Sequence, residues 1–386
     1  MKNWYKITLL ALLVILPPIS CKREDINTRL EVRGNKFYIN GIPTYRGKEW
    51  NGNSIEGLLF NSRMVQGIFD DNNEQTRALW KYPDTDKWDP DRNTNEFVQS
   101  MDEWHSYGLL AFTINLQGGS PMGYGNDGWV NTAFNADGSL KRKYFTRLHR
   151  ILKKSDELGM SVILGLFYFG QDEEMANEQA ILNAVDNTLD WLNESGFRNV
   201  IIEISNECDI NYDHDILQPE RIHELILRVK ERKYDGYNYP AGVSYSGGKL
   251  PGVNVVKTSD VIFLHGNGVD DPAEIREMVR RIRVMPEYNA QPVVFNEDDH
   301  YAFDQEEYNL KAAVESFASW GYFDYRREGE AFEQGFQSVP VDWGINSQRK
   351  KAFFEKVKEI TGGFSEQDKR QSLARIWRSA PAEAEP

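Results

Sequence analysis

Cysteine and basic residues are both scarce in this sequence. The 386-residue chain has two cysteines, Cys21 and Cys208, which is too few for a disulfide framework. No activating histidine stands near Cys208 in a recognisable motif, so a buried thiol is favoured over a nucleophile. The 45 lysines and arginines are outnumbered by 59 acidic residues, giving a formal net charge of −14. This charge argues against a nucleic-acid partner, because phosphates require a basic face.

Motifs for nucleotides and metals are also missing. No glycine-rich phosphate loop follows any predicted strand, which weakens the case for a doubly wound sheet. No spaced set of histidines and aspartates accompanies the acidic run at residues 297–300, which disfavours a metal site there. Hydrophobic residues make up 40% of the chain and aromatic residues 12%. That composition predicts a substantial core in a globular protein.

Residues 1–20 have the pattern of an export signal. Two lysines precede an apolar stretch at residues 7–16, which is too short to span a bilayer, since spanning takes ~20 apolar residues. A small residue then precedes Cys21. This arrangement resembles a bacterial lipoprotein signal, which implies that Cys21 is lipidated and that the membrane is contacted through this anchor only. An ordinary secreted protein or an uncleaved anchor are the alternatives, and all three predict an extracytoplasmic location.

A tether and a small β-hairpin are predicted at residues 21–49. Turn signals at Gly34 and at Asn40-Gly41 separate short β-prone runs, so we expect a hairpin that closes the bottom of the next domain. That domain spans residues 50–362. The remaining residues, 363–386, form a polar tail whose end is typical of disorder.

Strand and helix patterns alternate along residues 50–362. Strands are predicted at residues 56–60, 109–116, 161–169, 199–207, 241–246, 261–267, 292–298 and 321–325. Helices are predicted at residues 95–107, 143–158, 178–195, 220–234, 272–285, 306–319 and 347–360. The strands are nearly continuous apolar runs, as expected when both faces of a parallel sheet are buried. Eight strands alternating with helices predict an α/β fold, the (β/α)₈ TIM barrel.

Loop lengths indicate which end of the barrel carries function. Glycines at 159 and 196 are expected to end two helices, and the turns that follow them are short. The loops after the first three strands are longer, and this is the side on which such barrels place their active sites. Four tryptophans are more typical of packing than of a binding subsite: Trp80, Trp88, Trp129 and Trp343.

Two of the apolar runs end in Asn-Glu. Residues 199–207 read NVIIEISNE and residues 291–297 read QPVVFNE. Cleavage of a glycosidic bond needs two carboxyl groups, one on each side of the anomeric carbon. The fourth and seventh strands of a barrel face each other across its mouth, so Glu207 and Glu297 are the candidate pair. Glu207 as a capping or salt-bridged residue, and Asp298 or Asp299 as the reactive group, remain alternatives.

These residues resemble the clan A glycoside hydrolases, a retaining group that includes the cellulase-like family 5. The resemblance covers roughly residues 30–362. It implies that Asn206 binds the 2-hydroxyl of the sugar, that Glu207 is the acid/base and that Glu297 is the nucleophile. It also implies a carbohydrate substrate and no cofactor.

Further site residues follow from the same resemblance. His265, which ends the sixth strand, matches a histidine common in such enzymes, and Trp320 matches the usual aromatic floor beneath the sugar. Asn267 stands where a tyrosine often bonds the nucleophile. Asn115 stands near the end of the second strand, where an arginine is usual, and Arg63 is expected to substitute for that arginine from another loop.

The sequence therefore predicts a retaining glycoside hydrolase that cleaves β-glycosidic bonds of an oligo- or polysaccharide. A non-catalytic glycan-binding lipoprotein on a degenerate barrel is one alternative. A metal-dependent hydrolase built on His265, Asp298 and His300 is another. Whether the cut is internal or at a chain end depends on how the long loops fold.

Overall fold

The computed structural model describes residues 28–123 and 128–364. The predicted export signal, Cys21 and most of the polar tail lie outside these residues. Within them, no helix combines the length and the apolar character needed to cross a bilayer.

Eight parallel strands form the barrel. They are β1 (Asn61–Arg63), β2 (Ala111–Asn115), β3 (Ser161–Tyr168), β4 (Val200–Asn206), β5 (Ala241–Gly242), β6 (Ile262–His265), β7 (Val293–Asp298) and β8 (Ser319–Tyr322). The sheet runs β5-β4-β3-β2-β1-β8-β7-β6. Between its two edges, the backbone N–H groups of Asp260 and Val261 donate to the carbonyl of Ala241, so the barrel is nearly closed. The predicted TIM barrel is confirmed.

A helix follows each strand in this part of the chain. The helices are α1 (Pro90–Ser106), α2 (Arg142–Leu158), α3 (Glu178–Ser195), α4 (His223–Glu231), α5 (Val253–Thr258), α6 (Pro272–Arg283), α7 (Asn309–Glu315) and α8 (Gln348–Thr361). Gly159 and Gly196 end α2 and α3 with φ of 70° and 82°, as predicted. The short helix α5 was not predicted.

Three strand predictions are clearly wrong in their bounds: the first, the fifth and the eighth, which was expected at residues 321–325 and is Ser319–Tyr322. The first strand was expected at residues 56–60, but pairing begins at Asn61. The apolar residues just before it are buried without being paired, and apolar character alone does not distinguish the two. The fifth strand is only Ala241–Gly242, at a place where a β-carbon on Gly242 would lie 2.3 Å from the carbonyl oxygen of Val261.

The N-terminal strands form a small antiparallel sheet, which confirms the predicted hairpin. Its strands are Leu30–Arg33, Lys36–Ile39 and Ile42–Pro43. The N–H of Leu30 donates to the carbonyl of Arg198 at 2.9 Å, just before β4 begins. The sheet therefore covers the end of the barrel where the strands start.

Three long loops, residues 64–89, 116–141 and 323–347, leave the other end of the barrel from three adjacent strands, β1, β2 and β8. The eighth-strand loop was not singled out from the sequence. The three loops share a second apolar cluster made of Phe69, Trp80, Trp129 and Val339, with Trp88 packed against it. Trp343 is buried beside Trp104. The prediction that these tryptophans serve packing is confirmed.

Candidate active site

The end of β4 carries Glu207 in an unusual backbone conformation. Asn206 is the last residue of the strand, and Glu207 follows with φ of 51°. This left-handed region is uncommon for a residue with a side chain, and such strain clusters at functional sites. The N–H of Glu207 donates to Ser244 Oγ at 3.1 Å, which holds the turn. The strain turns the chain so that both Asn206 and Glu207 reach the mouth of the barrel.

The end of β7 is irregular where it carries Glu297. Pairing with β6 shifts between Leu264 and His265, and pairing with β8 shifts between Phe295 and Asp298. Such irregularities re-aim side chains and are common beside active sites. The Glu297 side chain is buried and enters the mouth of the barrel opposite Glu207.

Glu207, His265 and Glu297 form one cluster. A carboxylate oxygen from each glutamate and a ring nitrogen of His265 all lie within 4.8 Å of one another. His265 Nδ1 is 3.0 Å from Glu207 Oε1 and 3.8 Å from Glu297 Oε2. Residues from the fourth, sixth and seventh strands thus converge on one point.

Both oxygens of Glu297 have charged or polar donors. Arg63 Nε lies 2.5 Å from Oε2, and the same guanidinium donates through Nη2 to Asn206 Oδ1 at 2.7 Å. Asn267 Nδ2 donates to Oε1 at 2.7 Å. Arg63, at the end of β1, therefore links the two strand ends, and Asn267 supplies a second donor to Glu297 from just after β6.

The electrostatics of the cluster follow from burial and from charge. Burial raises the pKa of Glu297, Arg63 and His265 oppose that rise, and the Glu207 carboxylate adds to it. For His265, burial lowers the pKa, but the carboxylates of Glu297 and Glu207 outweigh burial and raise it overall.

Asn115 lies against the neighbouring strand β3. It is buried at the end of β2, and its side-chain oxygen would be 2.3 Å from a β-carbon on Gly165 of β3. Within the described residues, neither polar atom of its amide has a hydrogen-bond partner. Glu203, buried four residues before Glu207, accepts a hydrogen bond from Asn296 Nδ2 at 3.0 Å.

The expectation that Trp320 forms an aromatic floor is wrong. Its side chain is fully buried and packs against Phe303 and Phe353, the latter on helix α8. Its indole Nε1 donates to Asp298 Oδ2 at 2.8 Å. Trp320 therefore lies between β8 and the helical layer, with no face open to a sugar.

The metal-binding alternative required His265, Asp298 and His300 in one place. In the described residues, these side chains belong to two separate groups: His265 with the two glutamates, and Asp298 and His300 with Asp299. Successive strand residues point to opposite faces, so Glu297 enters the mouth while Asp298 turns outward. Arg63 already supplies a positive charge to the inner group.

Tyr168 is a site neighbour that the sequence reasoning missed. It ends β3 and pairs with Asn206 of β4, and burial raises the pKa of its phenol, a rise that the carboxylates of Glu297 and Glu207 increase. Its hydroxyl is 2.6 Å from Ser120 Oγ, in the loop after β2. The available signal was a polar aromatic residue at the end of a predicted strand.

The solved structures that match this chain include several glycoside hydrolases. An endo-1,4-β-mannanase from Rhizomucor miehei matches at 11% identity and a TM-score of 0.54, over 86% of this chain and 99% of that one. A GH5-4 broad-specificity endoglucanase from Bacteroides salanitronis matches at 11% identity and a TM-score of 0.51, over 79% and 93%. These two enzymes and this chain share one fold, the (β/α)₈ barrel.

A protein from Bacteroides vulgatus also matches, at 12% identity and a TM-score of 0.49. The match covers 93% of this chain and 62% of that protein's length. No protein-family model matches the sequence, and no curated protein does.

Proposed function

We propose that this protein is a retaining β-glycoside hydrolase, with Glu207 as acid/base and Glu297 as nucleophile. The observation that carries the proposal is the approach of the two carboxylates, whose nearest oxygens lie within 4.8 Å. Retaining enzymes hold their carboxyl groups ~5–5.5 Å apart, whereas inverting enzymes need ~6.5–9.5 Å to admit a water molecule. The solved structures named above, a mannanase and an endoglucanase, support a β-linked glycan as substrate.

In the first step, Glu297 attacks the anomeric carbon and the bond to the leaving oxygen breaks. Glu207 donates its proton to that oxygen, and a glycosyl ester forms on Glu297. Arg63 and Asn267 favour the ionised form of Glu297 and fix its orientation.

In the second step, Glu207 takes a proton from water, which attacks the anomeric carbon and releases Glu297. Asn206 Oδ1 accepts from Arg63, which leaves its Nδ2 for the sugar 2-hydroxyl. His265 stays hydrogen-bonded to Glu207 during both proton transfers, because its Nδ1 lies 3.0 Å from Glu207 Oε1. Asn115 is a further candidate for substrate contact, from below. The reaction needs no cofactor.

We also propose an extracytoplasmic location. The support is the sequence pattern of residues 1–20 and Cys21, which resembles a lipoprotein signal. Labelling with a radioactive or clickable fatty acid should mark the wild-type chain and leave a Cys21→Ser variant unmarked.

The catalytic proposal is tested by two isosteric variants on aryl β-glycosides and on β-1,4-linked oligosaccharides. Glu297→Gln should reduce turnover below detection on both. Glu207→Gln should lose roughly 10²–10⁴-fold on oligosaccharides, whose leaving groups need a proton. Its loss should be much smaller on activated aryl glycosides. Glu355→Gln, on the exposed face of α8, is the matched control and should keep full activity.

Azide identifies the roles separately. With Glu207→Ala, azide should restore part of the rate on an aryl glycoside and yield a glycosyl azide of retained configuration. Full activity of Glu297→Gln would exclude the proposal. Binding of glycans without turnover by the wild-type chain would favour the non-catalytic alternative.

A further inference from the structure

The long loops of the barrel are all on one side of its mouth. Residues 64–89, 116–141 and 323–347 follow β1, β2 and β8, which are neighbours in the sheet. The loops after β5 and β6, residues 243–252 and 266–271, are short. The rim of the mouth is therefore high on the side of β1, β2 and β8. It is low on the side of β5 and β6, which we call the low side.

Two segments of these loops are joined into a continuous wall, which we define as residues 117–123 and 335–340. The N–H of Val339 donates to the carbonyl of Pro121 at 2.8 Å. Gln337 Nε2 donates to the carbonyls of Ser120 at 3.4 Å and Gly123 at 3.5 Å. These bonds connect the loop after β8 with the loop after β2, passing over the end of β1.

The wall touches the residues around the catalytic pair. Ser120 Oγ lies 2.6 Å from the hydroxyl of Tyr168, and Tyr168 pairs in the sheet with Asn206, the residue directly before Glu207. Gln66 Nε2, in the loop after β1, donates to the carbonyl of Gly119. The wall therefore stands directly beside the site.

Tight packing fixes the wall in place. A β-carbon on Gly118 would lie 2.2 Å from Tyr168 Cγ, and one on Gly119 would lie 2.8 Å from Gln66 Nε2. These glycines, at φ of 68° and 101°, permit close contact between the backbone and the side chains below. Val339 extends the wall into the apolar cluster of Phe69, Trp80 and Trp129. The Gly-rich sequence here serves packing at Gly118 and Gly119.

The two glutamates differ in their access to solvent. The side chain of Glu207 is 13% exposed and that of Glu297 is 7% exposed. Glu297 is paired with Arg63, which ends β1 beneath the wall. The carboxylate of Glu207 lies 3.0 Å from His265 Nδ1, just before the short loop after β6, and its backbone N–H donates to Ser244 Oγ in the short loop after β5. The proton donor thus faces the low side of the mouth, and the nucleophile faces the wall.

A glycosidic bond is oriented by its proton donor. The leaving oxygen must lie against Glu207, so the leaving part of the glycan continues toward the low side. The sugar that becomes attached to Glu297 lies on the other side, with the wall beyond it.

From these observations we propose that the wall closes the site behind the first one or two sugars, so that the enzyme removes short units from the non-reducing ends of β-linked glycans. This inference rests on the proposed function and adds the mode of cutting to it. A chain running past the site in both directions would have to pass through residues 117–123 and 335–340.

The test uses the full chain with β-1,4-linked gluco- and manno-hexasaccharides that carry ¹⁸O at the reducing end. Mass spectrometry at early times should show unlabelled mono- or disaccharide together with one labelled product, shorter by the same unit. On the parent polysaccharide, reducing ends should accumulate while the viscosity stays nearly constant. Labelled products of every length, or a rapid fall in viscosity, would overturn the inference and leave the proposed function standing. Absence of hydrolysis on all substrates would overturn both.

A variant that weakens the wall provides a second measurement. Gln337→Ala removes the two bonds to Ser120 and Gly123, and the share of internal cuts should rise several-fold. Glu333→Ala, exposed in the same loop, is the matched control and should leave the product pattern unchanged. If the wild type cut internally and a folded Gln337→Ala protein gave the same product pattern, the wall would not determine the mode of cutting.

Discussion

Glu297 is the residue on which most of the site's polar contacts converge. Its burial raises its pKa, which by itself would favour the protonated and unreactive form. Arg63 at one oxygen and Asn267 at the other stabilise the charged form. Desolvation therefore raises the pKa of the proposed nucleophile, and two donors, Arg63 on β1 and Asn267 just after β6, lower it.

Replacing Asn267 with Ala should change that balance. The charged form loses one donor, so the pKa of Glu297 rises further and the acid limb of kcat/KM moves to higher pH. A hydrogen bond to a charged group is worth ~1.5–3 kcal/mol, which corresponds to a shift of about one to two pH units. The pH profile of kcat/KM on an aryl glycoside measures it.

Asn254→Ala is the control for this variant, because Asn254 bonds the carbonyl of Pro219 away from the carboxylates. Its acid limb should stay in place. A profile for Asn267→Ala that loses height without moving its acid limb would contradict the role assigned to this amide.

At the scale of a single element, strand β8 contacts both the helical layer and the interior of the barrel. Trp320 points outward to the helices, while the next residue, Gly321, lies against Asn61 inside the barrel. The indole of Trp320 binds Asp298, the neighbour of Glu297 on β7. The outer layer therefore anchors the end of β7 from behind the site.

Trp320→Phe should separate an anchoring role from a sugar-binding role. The variant keeps an aromatic ring in the packing but leaves the buried Asp298 without one donor, which should lower the free energy of unfolding by about 1–3 kcal/mol. KM for oligosaccharides should stay within roughly twofold. Urea unfolding and steady-state kinetics measure the two effects. A large rise in KM at unchanged stability would instead restore the aromatic floor.

At the scale of the whole molecule, stability depends on pH through an ion pair on the rim of the barrel. The hydrogen bond to Asp298 raises the pKa of His300 to about 9, although burial opposes the rise. Because the folded state binds this proton more tightly, the stabilisation is complete below the unfolded pKa of about 6.5 and is lost as pH rises through about 9. Burial raises the pKa of Asp298, which acts in the same direction.

His300→Gln should therefore cost stability chiefly at acidic and neutral pH. With a discount for the partial exposure of His300, the expected loss is about 1–2 kcal/mol below pH ~6.5 and close to zero above pH ~9. Thermal unfolding of the wild type and of His300→Gln across this pH range measures the gap, which is the difference between their free energies of unfolding. Asp270→Asn removes only the exposed partner of His300 and should show a smaller gap. A gap independent of pH would show that the ring packs without titrating.

The local sequence determined the alternation of strands and helices, the turns at Gly159 and Gly196, and the two strand ends at Glu207 and Glu297. These features depend on the hydrophobic period and on neighbouring residues, so each of them can be predicted from a single segment of the chain. The same segments also indicated that the loop tryptophans serve packing.

Only the tertiary structure decided which side chains meet. Arg63 bonds Asn206 across 143 positions of sequence, and Asn267 reaches Glu297 across 30. Trp320 faces the helical layer because neighbouring residues of a strand point to opposite faces of the sheet. An error of one position in the predicted strand therefore places a side chain on the wrong face. The wall formed because β1 lies between β8 and β2 in the nearly closed sheet, an order that is set by the barrel and absent from any local pattern.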